Sequence, residues 1–220
     1  MKILALEFSS EERSVAVMQP AESGGIQVLA EVIEKGGVGT QALGMVEKGL
    51  CEAQLTADQV EVVAIGLGPG SYTGIRLAIS LAQGWQVARR VKLLGISSVE
   101  CIAARAQSEN MLGQLAVVVD AQRNEFYLGR YEITAEYRKE IEPLRLASPQ
   151  EIESCGPSGC LIVGPDAERF RGGRRLYPRA SVLAKLAFRR EDFIAGELVQ
   201  PIYLRETAFV KALPPRIPPH

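Results

Sequence analysis

The sequence predicts an α/β protein of two lobes, each with the element order strand, strand, strand, helix, strand, helix. Short apolar or alternating stretches are typical of strands, and longer stretches repeat apolar residues at helical spacing. The same order of elements recurs in the second half of the chain. This duplication is typical of the ribonuclease-H-like fold, in which two lobes enclose a cleft that can bind a ligand.

The first half opens with three predicted strands. Two apolar segments at 2–8 and 13–18 flank a polar turn, which indicates a hairpin, and a third strand at 26–33 follows a Gly-Gly turn. A predicted helix at 40–54 comes next, with Thr40 as its N-cap.

A strand-and-helix pattern completes the first lobe. The segment at 61–67 is apolar on both faces, which predicts a central strand in a parallel arrangement. A helix at 73–90, a short strand at 92–96 and a helix at 98–108 follow, the last with Ser97 and Ser98 at its start.

The second half predicts the same order in a shorter form. Its elements are strands at 115–120, 125–133 and 140–146, a helix at 149–155, a strand at 160–164 and a helix at 179–190. We therefore expect an N-terminal lobe at 1–109 and a smaller C-terminal lobe at 110–213, whose final segment can return to the first lobe. A Pro-rich tail at 214–220 cannot be helical.

Composition excludes several classes of function. The 220 residues carry 25 basic and 26 acidic side chains, and this balance opposes nucleic-acid binding by bulk charge alone. The single histidine is the last residue, His220, so His-dependent hydrolysis and His-based zinc sites are not expected. No Cys-x-x-Cys pair and no membrane-length apolar run occurs, so we expect a reduced, cytoplasmic protein without a metal site.

The segment GPGSYTGIR joins the predicted strand at 61–67 to the helix at 73–90. Glycines permit a sharp turn, and a capped helix start leaves N–H groups that favour phosphate. The spacing matches neither a Walker loop nor a dinucleotide fingerprint. A tight turn without a ligand and a loop for phosphate or partner contact both stay open. The residues concerned are Gly68, Gly70, Ser71, Tyr72, Thr73, Gly74 and Arg76.

The helix at 73–90 has two neighbouring apolar stripes. One contains Ile75, Ala78, Ile79 and Ala82, and the other contains Leu77, Leu81, Trp85 and Ala88. Together they cover roughly 200°, whereas a helix that packs on one side needs about 100°. One side is expected to lie on the sheet. The other meets either the helix at 40–54 or a helix of another protein molecule.

Four segments together resemble the TsaB (YeaZ) family. They are KILALEFSS at the start, GPGSYTGIR, VVVDAQRNEFYLGRY at 117–131 and PIYLR at 201–205. The third contains the polar group Asp120, Arg123 and Glu125, which is interpreted either as a cleft-facing site or, with slight preference, as a solvated turn. The resemblance covers nearly the whole chain.

The resemblance implies a two-lobed actin-like, sugar-kinase-like fold and a non-catalytic scaffold role in making threonylcarbamoyladenosine at position 37 of tRNA. It implies a heterodimer with the catalytic protein TsaD, with TsaE in the complex, tRNA contacted indirectly, and a homodimer when isolated. No intrinsic cofactor is expected, and ATP or ADP with magnesium is expected only at the complex interface. The implied partner interface consists of Leu43, Val46, Leu50, Leu77, Leu81 and Trp85.

Two positions depart from the family pattern. Members carry Asp at the end of the first strand, whereas this chain has Glu7, followed by Phe8, Ser9 and Ser10. The longer side chain favours a surface carboxylate over a vestigial nucleotide hairpin made by Glu7, Ser9 and Ser10. A histidine common near the first helix is also missing around Gly39.

Other functions stay open beside the scaffold. The main alternative is a small actin-like ATP-binding phosphotransferase or ATPase that acts alone through Glu7 and the loop at 68–74. A metalloprotease would need metal ligands that the sequence lacks. The basic cluster around 169–179 is interpreted as a solvated loop in preference to an RNA contact, and the helix dipole accounts for Arg189 and Arg190.

Overall fold

Two five-stranded sheets form the frame of the protein. The computed structural model describes residues 1–22, 25–36, 41–156 and 159–204. The first sheet contains β1 (Ile3–Glu7), β2 (Glu12–Ala21), β3 (Gly25–Lys35), β4 (Val62–Gly66) and β5 (Lys92–Ile96). Its half of the chain also forms the helices α1 (Ala42–Glu52), α2 (Tyr72–Arg89) and α3 (Ser98–Ser108).

The second sheet repeats this plan. It contains β6 (Gly113–Asp120), β7 (Phe126–Ile133), β8 (Arg138–Ala147), β9 (Leu161–Gly164) and β10 (Arg174–Arg175). The helices of this half are α4 (Pro149–Cys155) and α5 (Ala180–Phe188).

The two sheets have the same topology. The strand order is β3-β2-β1-β4-β5 in one and β8-β7-β6-β9-β10 in the other. In each sheet the first three strands pair antiparallel, and the last two run parallel to the first. The predicted two-lobed α/β fold with a duplicated lobe is therefore confirmed.

The second lobe differs from the prediction in one connection. A single 3₁₀ turn at Ala167–Arg169 and the two-residue strand β10 stand between β9 and α5. The helix predicted at 179–190 is thus the counterpart of α3, and the second lobe has a single turn where the first has α2. Two residues of strand are too few for a sequence pattern to reveal.

Each sheet is covered on one face by a helix from the other half of the chain. Helices α1 and α2 pack on one face of the first sheet, and α5 covers the other face through Leu183 and Ala187. Helix α3, which follows β5, packs on the second sheet through Ile102 and Ala106. Because β4 is buried along its whole length, its predicted central position agrees with this layering.

The chain crosses back over the first lobe after α5. We call 193–204 the C-terminal segment. The Ile194 N–H donates to the Leu93 carbonyl at 2.9 Å, and the Ile202 N–H donates to the Leu67 carbonyl at 2.9 Å. Thr40, Gly39, Arg205 and the tail at 214–220 lie outside the described residues. Among the described helices, none has the length and apolarity to cross a membrane.

Candidate functional site

The loop between β4 and α2 packs directly on the turn between β1 and β2. The Ser71 N–H donates to the Ser9 carbonyl at 2.7 Å. A Cβ atom at Gly70 would collide with that same carbonyl oxygen, and one at Gly74 would collide with the carbonyl oxygen of Phe8. The two glycines therefore allow the backbone of this loop and helix start to touch the hairpin.

Three N–H groups of this loop and helix start have partners within the chain, one of them the Ser71 N–H described above. Gly68 donates to the Ser98 hydroxyl at 3.1 Å, and Gly74 donates to the Ser71 hydroxyl at 3.3 Å. Ser71 is thus the N-cap of α2, while Thr73 lies exposed in its first turn. A phosphate cradle needs N–H groups that point outward. The N–H groups of Gly68, Ser71 and Gly74 are already bonded within the chain, which favours the tight-turn interpretation for these three residues.

Glu7 corrects a prediction, because its carboxylate is fully buried and does not lie on the surface. One carboxylate oxygen accepts the Ser9 N–H at 2.9 Å, and the other accepts the Ser98 hydroxyl at 2.9 Å. Burial raises the pKa of Glu7 above its ordinary value, and its hydrogen bonds with Ser9 and Ser98 only partly oppose this. The side chain lies over Gly66, where a Cβ atom would strike the carboxylate.

The positions of Glu7, Ser9 and Ser10 show whether the β1–β2 hairpin can bind a nucleotide or magnesium. The Glu7 carboxylate holds the hairpin to the start of α3 and does not face the cleft. Ser9 and Ser10 are buried to about the same extent, with 5% and 6% of their surfaces exposed. Glu7 therefore does not fit a metal–phosphate site, whereas Ser9 and Ser10 line the cleft between the lobes. Among the described residues, no group of three or more acidic, His or Cys side chains could hold a metal ion.

A polar cleft of about 670 Å³ separates the two lobes. It lies between the β1–β2 turn and the β6–β7 turn, with Ser71 and Tyr72 on the first-lobe side. Asp120 and Asp166 supply carboxylates from the second lobe. The Asp166 carboxylate accepts the Asp120 N–H at 2.9 Å, and burial raises the pKa of Asp166.

The three predicted polar residues of the second lobe occupy different positions. Asp120 lines the cleft, accepts the Gln122 N–H at 2.7 Å and pairs with Arg169 at 3.1 Å. Arg123 is exposed at the tip of the turn in a left-handed conformation (φ 55°). Glu125 is half-buried, and its carbonyl accepts the Ala121 N–H at 2.9 Å. The structure thus brings only Asp120 of this group into the cleft.

Two residues that sequence reasoning missed join the lobes across the cleft. The Tyr177 hydroxyl donates to the carboxylate of Glu11, which lies in the β1–β2 turn. Burial raises the pKa of Tyr177 to about 12, so the phenol stays protonated as the donor. No local pattern in the sequence marks this pair, because the two residues are 166 positions apart.

Tyr72 and Arg76 lie against the C-terminal segment. The Tyr72 ring stacks on Tyr203 with 5.6 Å between centroids, and the Arg76 guanidinium lies 4.1 Å from the Tyr72 centroid. This cluster anchors the segment beside the start of α2.

The predicted partner face divides into buried and accessible residues. Val46 and Leu50 belong to the core of the first lobe, because α1 turns them toward β2 and β3; they are a correction to the predicted interface. Leu77, Leu81 and Trp85 are half-buried at the margin of this core, and Leu43 is 60% exposed. Ala88 is also exposed.

The other flank of α2 is covered by the C-terminal segment. Gln83 donates to the Gly196 carbonyl at 2.8 Å, and Gln86 accepts the Gly196 N–H at 2.8 Å. Gln83 and Leu81 differ by roughly 200° of helical rotation, so the segment leaves the Leu81 flank uncovered. We name Leu43, Leu77, Leu81, Trp85 and Ala88 the outer face.

The fold and these sites define a two-lobed α/β protein with a duplicated five-stranded sheet, whose first lobe presents a helical outer face. The model of the family described as "TsaD: tRNA N6-adenosine threonylcarbamoyltransferase" matches residues 39–179, well over half of the chain. The chain belongs to this family, and its resemblance to the TsaB (YeaZ) proteins within it is confirmed by the relatives below.

The similar proteins cover almost the whole chain. The "tRNA threonylcarbamoyladenosine biosynthesis protein TsaB" of Haemophilus influenzae is 26% identical, over 98% of this chain and 98% of its own length. The protein of the same name from Escherichia coli is 26% identical over 97% of this chain and 99% of its own length. The solved structure of YeaZ from Pseudomonas aeruginosa has a TM-score of 0.75 and 26% identity, over 92% of this chain and 100% of its own.

Proposed function

We propose that this protein is a non-catalytic scaffold subunit in the biosynthesis of threonylcarbamoyladenosine on tRNA. The names of the similar proteins support the pathway. The observation that carries the scaffold role is the outer face, where an apolar stripe of α2 is only half-buried and Leu43 of α1 is exposed. On this proposal the catalytic partner TsaD binds there, and TsaE joins the complex.

Physical considerations support a protein partner at the outer face. Trp85 is the only tryptophan of the chain, and it is half-buried beside Leu81. Half-exposed aromatic side chains at the centre of an apolar patch contribute a large share of binding energy in interfaces. The same patch would allow two copies of the isolated protein to associate as a homodimer.

The hydrogen bonds of the loop at 68–74 bear on where a nucleotide could bind. Gly68, Ser71 and Gly74 use their N–H groups within the chain, so these three donors are not available to a phosphate. We therefore assign no intrinsic cofactor, and propose that ATP or ADP with magnesium binds only where TsaD supplies the phosphate and metal ligands. In the assembled complex tRNA would be held mainly by the partners.

The test is complex formation with TsaD from the same organism, followed by size-exclusion chromatography with light scattering. We expect a heterodimer that supports threonylcarbamoyl transfer. Leu43→Asp and Trp85→Ala should each weaken the complex at least about tenfold, since both remove apolar contact. Leu198→Asp is the matched control, because Leu198 is 66% exposed in the C-terminal segment, outside the outer face. Absence of a complex with the wild-type protein would refute the proposal.

The alternative is an ATP-binding phosphotransferase or ATPase that acts alone. The polar cleft with Asp120 and Asp166 is the feature that favours it. The inward-facing Glu7 opposes it, because that carboxylate is committed to Ser9 and Ser98. Saturable ATP hydrolysis by the isolated protein, abolished in Asp120→Asn, would support the alternative over the scaffold.

A further inference from the structure

A basic groove lies on the side of the protein away from the outer face, where α5 meets α3 and the β7–β8 turn. Its volume is about 530 Å³. All four ionisable side chains that line it are cations, namely Arg138, Lys185, Arg189 and Arg190. Gln107 of α3 and Leu186 of α5 also line it. We call this surface the basic groove.

One carboxylate serves two of these cations. Glu100 pairs with Arg190 through both oxygens at 2.8 Å, and with Arg138 at 3.7 Å. The four cations and this one carboxylate leave a local charge of about +3, in a chain whose formal net charge is -1. The groove is thus a concentrated positive surface on a nearly neutral protein.

A helix dipole explains only part of this arrangement. Lys185 and Arg189 lie in and just after the last turn of α5, where a cation is stabilised by the helix C-terminus. Arg138 begins β8 of the second sheet, and its guanidinium donates to the Gln107 side-chain carbonyl at 3.0 Å. The Gln107 amide in turn donates to the Thr134 carbonyl at 2.9 Å. Gln107 of α3 therefore holds Arg138 in place beside the cations of α5.

The basic cluster that the sequence suggested differs from this groove. Arg169 pairs with Asp120, Arg175 pairs with Glu168, and Arg179 pairs with Glu12. Partners within the chain neutralise these three guanidinium groups, whereas Arg171 and Arg174 of the same cluster are exposed. The groove escapes notice in the sequence because Arg138 and Lys185 are far apart along the chain and come from different elements, β8 and α5.

We propose that the basic groove binds the phosphate backbone of tRNA, so that this chain contacts the substrate directly. Arginine forks recognise phosphate oxygens with paired hydrogen bonds, and lysine adds a point charge. The exposed Lys185 and Arg189 are one helical turn apart, which presents two cations along one line of the groove. The choice of tRNA as the polyanion rests on the proposed function, whereas the phosphate chemistry follows from the groove itself.

The test measures tRNA binding by the full chain, with fluorescence anisotropy at several salt concentrations. The double variant Lys185→Ala, Arg189→Ala removes two exposed cations. We expect it to weaken binding about tenfold to thirtyfold near 0.15 M salt, and to reduce the slope of log K against log salt by between about 1 and 2. The matched control is Arg171→Ala, Arg174→Ala, which removes two exposed arginines elsewhere and should change affinity less than about twofold.

Each outcome decides the matter. Equal weakening by both double variants, an unchanged affinity in the groove variant, or no measurable tRNA binding by the wild type would overturn the proposal. Retained binding in Lys185→Arg, Arg189→Lys would support it, since the charges persist. The groove variant should still form the complex with TsaD. A groove failure with an intact complex, or an absent complex with intact tRNA binding, therefore separates this proposal from the scaffold role.

Discussion

The ends of β1 and β6 occupy equivalent places in the two lobes, and each carries a carboxylate. Both accept the N–H of the residue two positions ahead, Ser9 in one lobe and Gln122 in the other. Glu7 is fully buried and continues to Ser98, whereas Asp120 lines the cleft and pairs with the exposed Arg169. The same local hydrogen bond is therefore part of a buried link between the hairpin and α3 in the first lobe, which we call the Glu7 brace. In the second lobe it is part of a solvent-facing surface.

The connections after β4 and β9 differ in the same way. A Gly-Pro pair lies within two residues of the end of each strand, at 68–69 and at 164–165. The first leads into the 18 residues of α2, and the second leads into the single turn at Ala167–Arg169. In the first lobe this connection forms a helical surface, whereas in the second lobe it forms a short polar turn. One duplicated topology therefore supports two kinds of surface.

The largest effect is expected where α2 touches the hairpin. Gly74→Ala should lower the free energy of unfolding by about 3 kcal/mol, because its Cβ atom would collide with the Phe8 carbonyl. Gly84→Ala in the same helix meets no atom within 4 Å and should stabilise by about 0.5–1 kcal/mol. Urea unfolding of both variants checks the opposite signs. A tolerated Gly74→Ala would mean that α2 does not rest on the hairpin.

The brace around Glu7 predicts the next effect. Ser98→Ala should cost about 2 kcal/mol, because the Gly68 N–H and one Glu7 oxygen would lose a buried partner. The neighbouring Ser97→Ala removes only a cap to the Val99 N–H and should cost about 1 kcal/mol. Thermal unfolding of the two variants compares them, and equal losses would contradict the brace.

The stability of the protein should depend on pH in opposite ways through the buried Glu7 and the exposed Glu61. The raised pKa of Glu7 means that the folded protein binds its proton more tightly than the unfolded chain does. Wild-type stability should therefore fall relative to Glu7→Gln as the pH rises above the ordinary carboxyl range. Wild-type stability should instead rise relative to Glu61→Gln as the pH rises. The reason is that the Lys2 N–H lowers the pKa of Glu61 and favours its charged form. Denaturant midpoints between pH 4 and 8 give both slopes, and parallel slopes would contradict the assignment.

The smallest effect is expected at the cleft. The pair between Asp120 and Arg169 is partly exposed, so Asp120→Asn should cost only about 0.5 kcal/mol. A double-mutant cycle with Arg169→Ala should return a coupling of similar size. A coupling of several kcal/mol would show that the second-lobe carboxylate is as structural as Glu7.

Local patterns predicted most of the fold. The helix at 98–108 and the cap at Ser97 agree with the structure, because apolar spacing and capping chemistry are local signals. The same signals predicted two apolar stripes on α2, of which one is buried and one lies at the margin. The strand β10 was missed, since its two residues carry no periodicity.

The site was harder to predict, because its contacts are remote in sequence. In the sequence Glu7 resembles a surface carboxylate of a hairpin. The structure shows that its carboxylate accepts a hydrogen bond from the hydroxyl of Ser98, which is 91 residues away. The Glu11–Tyr177 pair and the cover of α2 by the C-terminal segment also depend on tertiary packing. Val46 and Leu50 were assigned to an interface because helical spacing shows that a face is apolar but does not show what buries it.

The exchange of α3 and α5 between the sheets has a consequence for protein synthesis. The first sheet is complete once β5 has been made, yet one of its faces stays bare until α5, ending at Phe188, leaves the ribosome. In the folded protein Ile3, Ala5 and Leu94 lie on that face, in one cluster with Leu183 and Ala187 of α5. Neither half is a self-sufficient folding unit, so a chain that stops before Ala180 should be captured by chaperones or degraded.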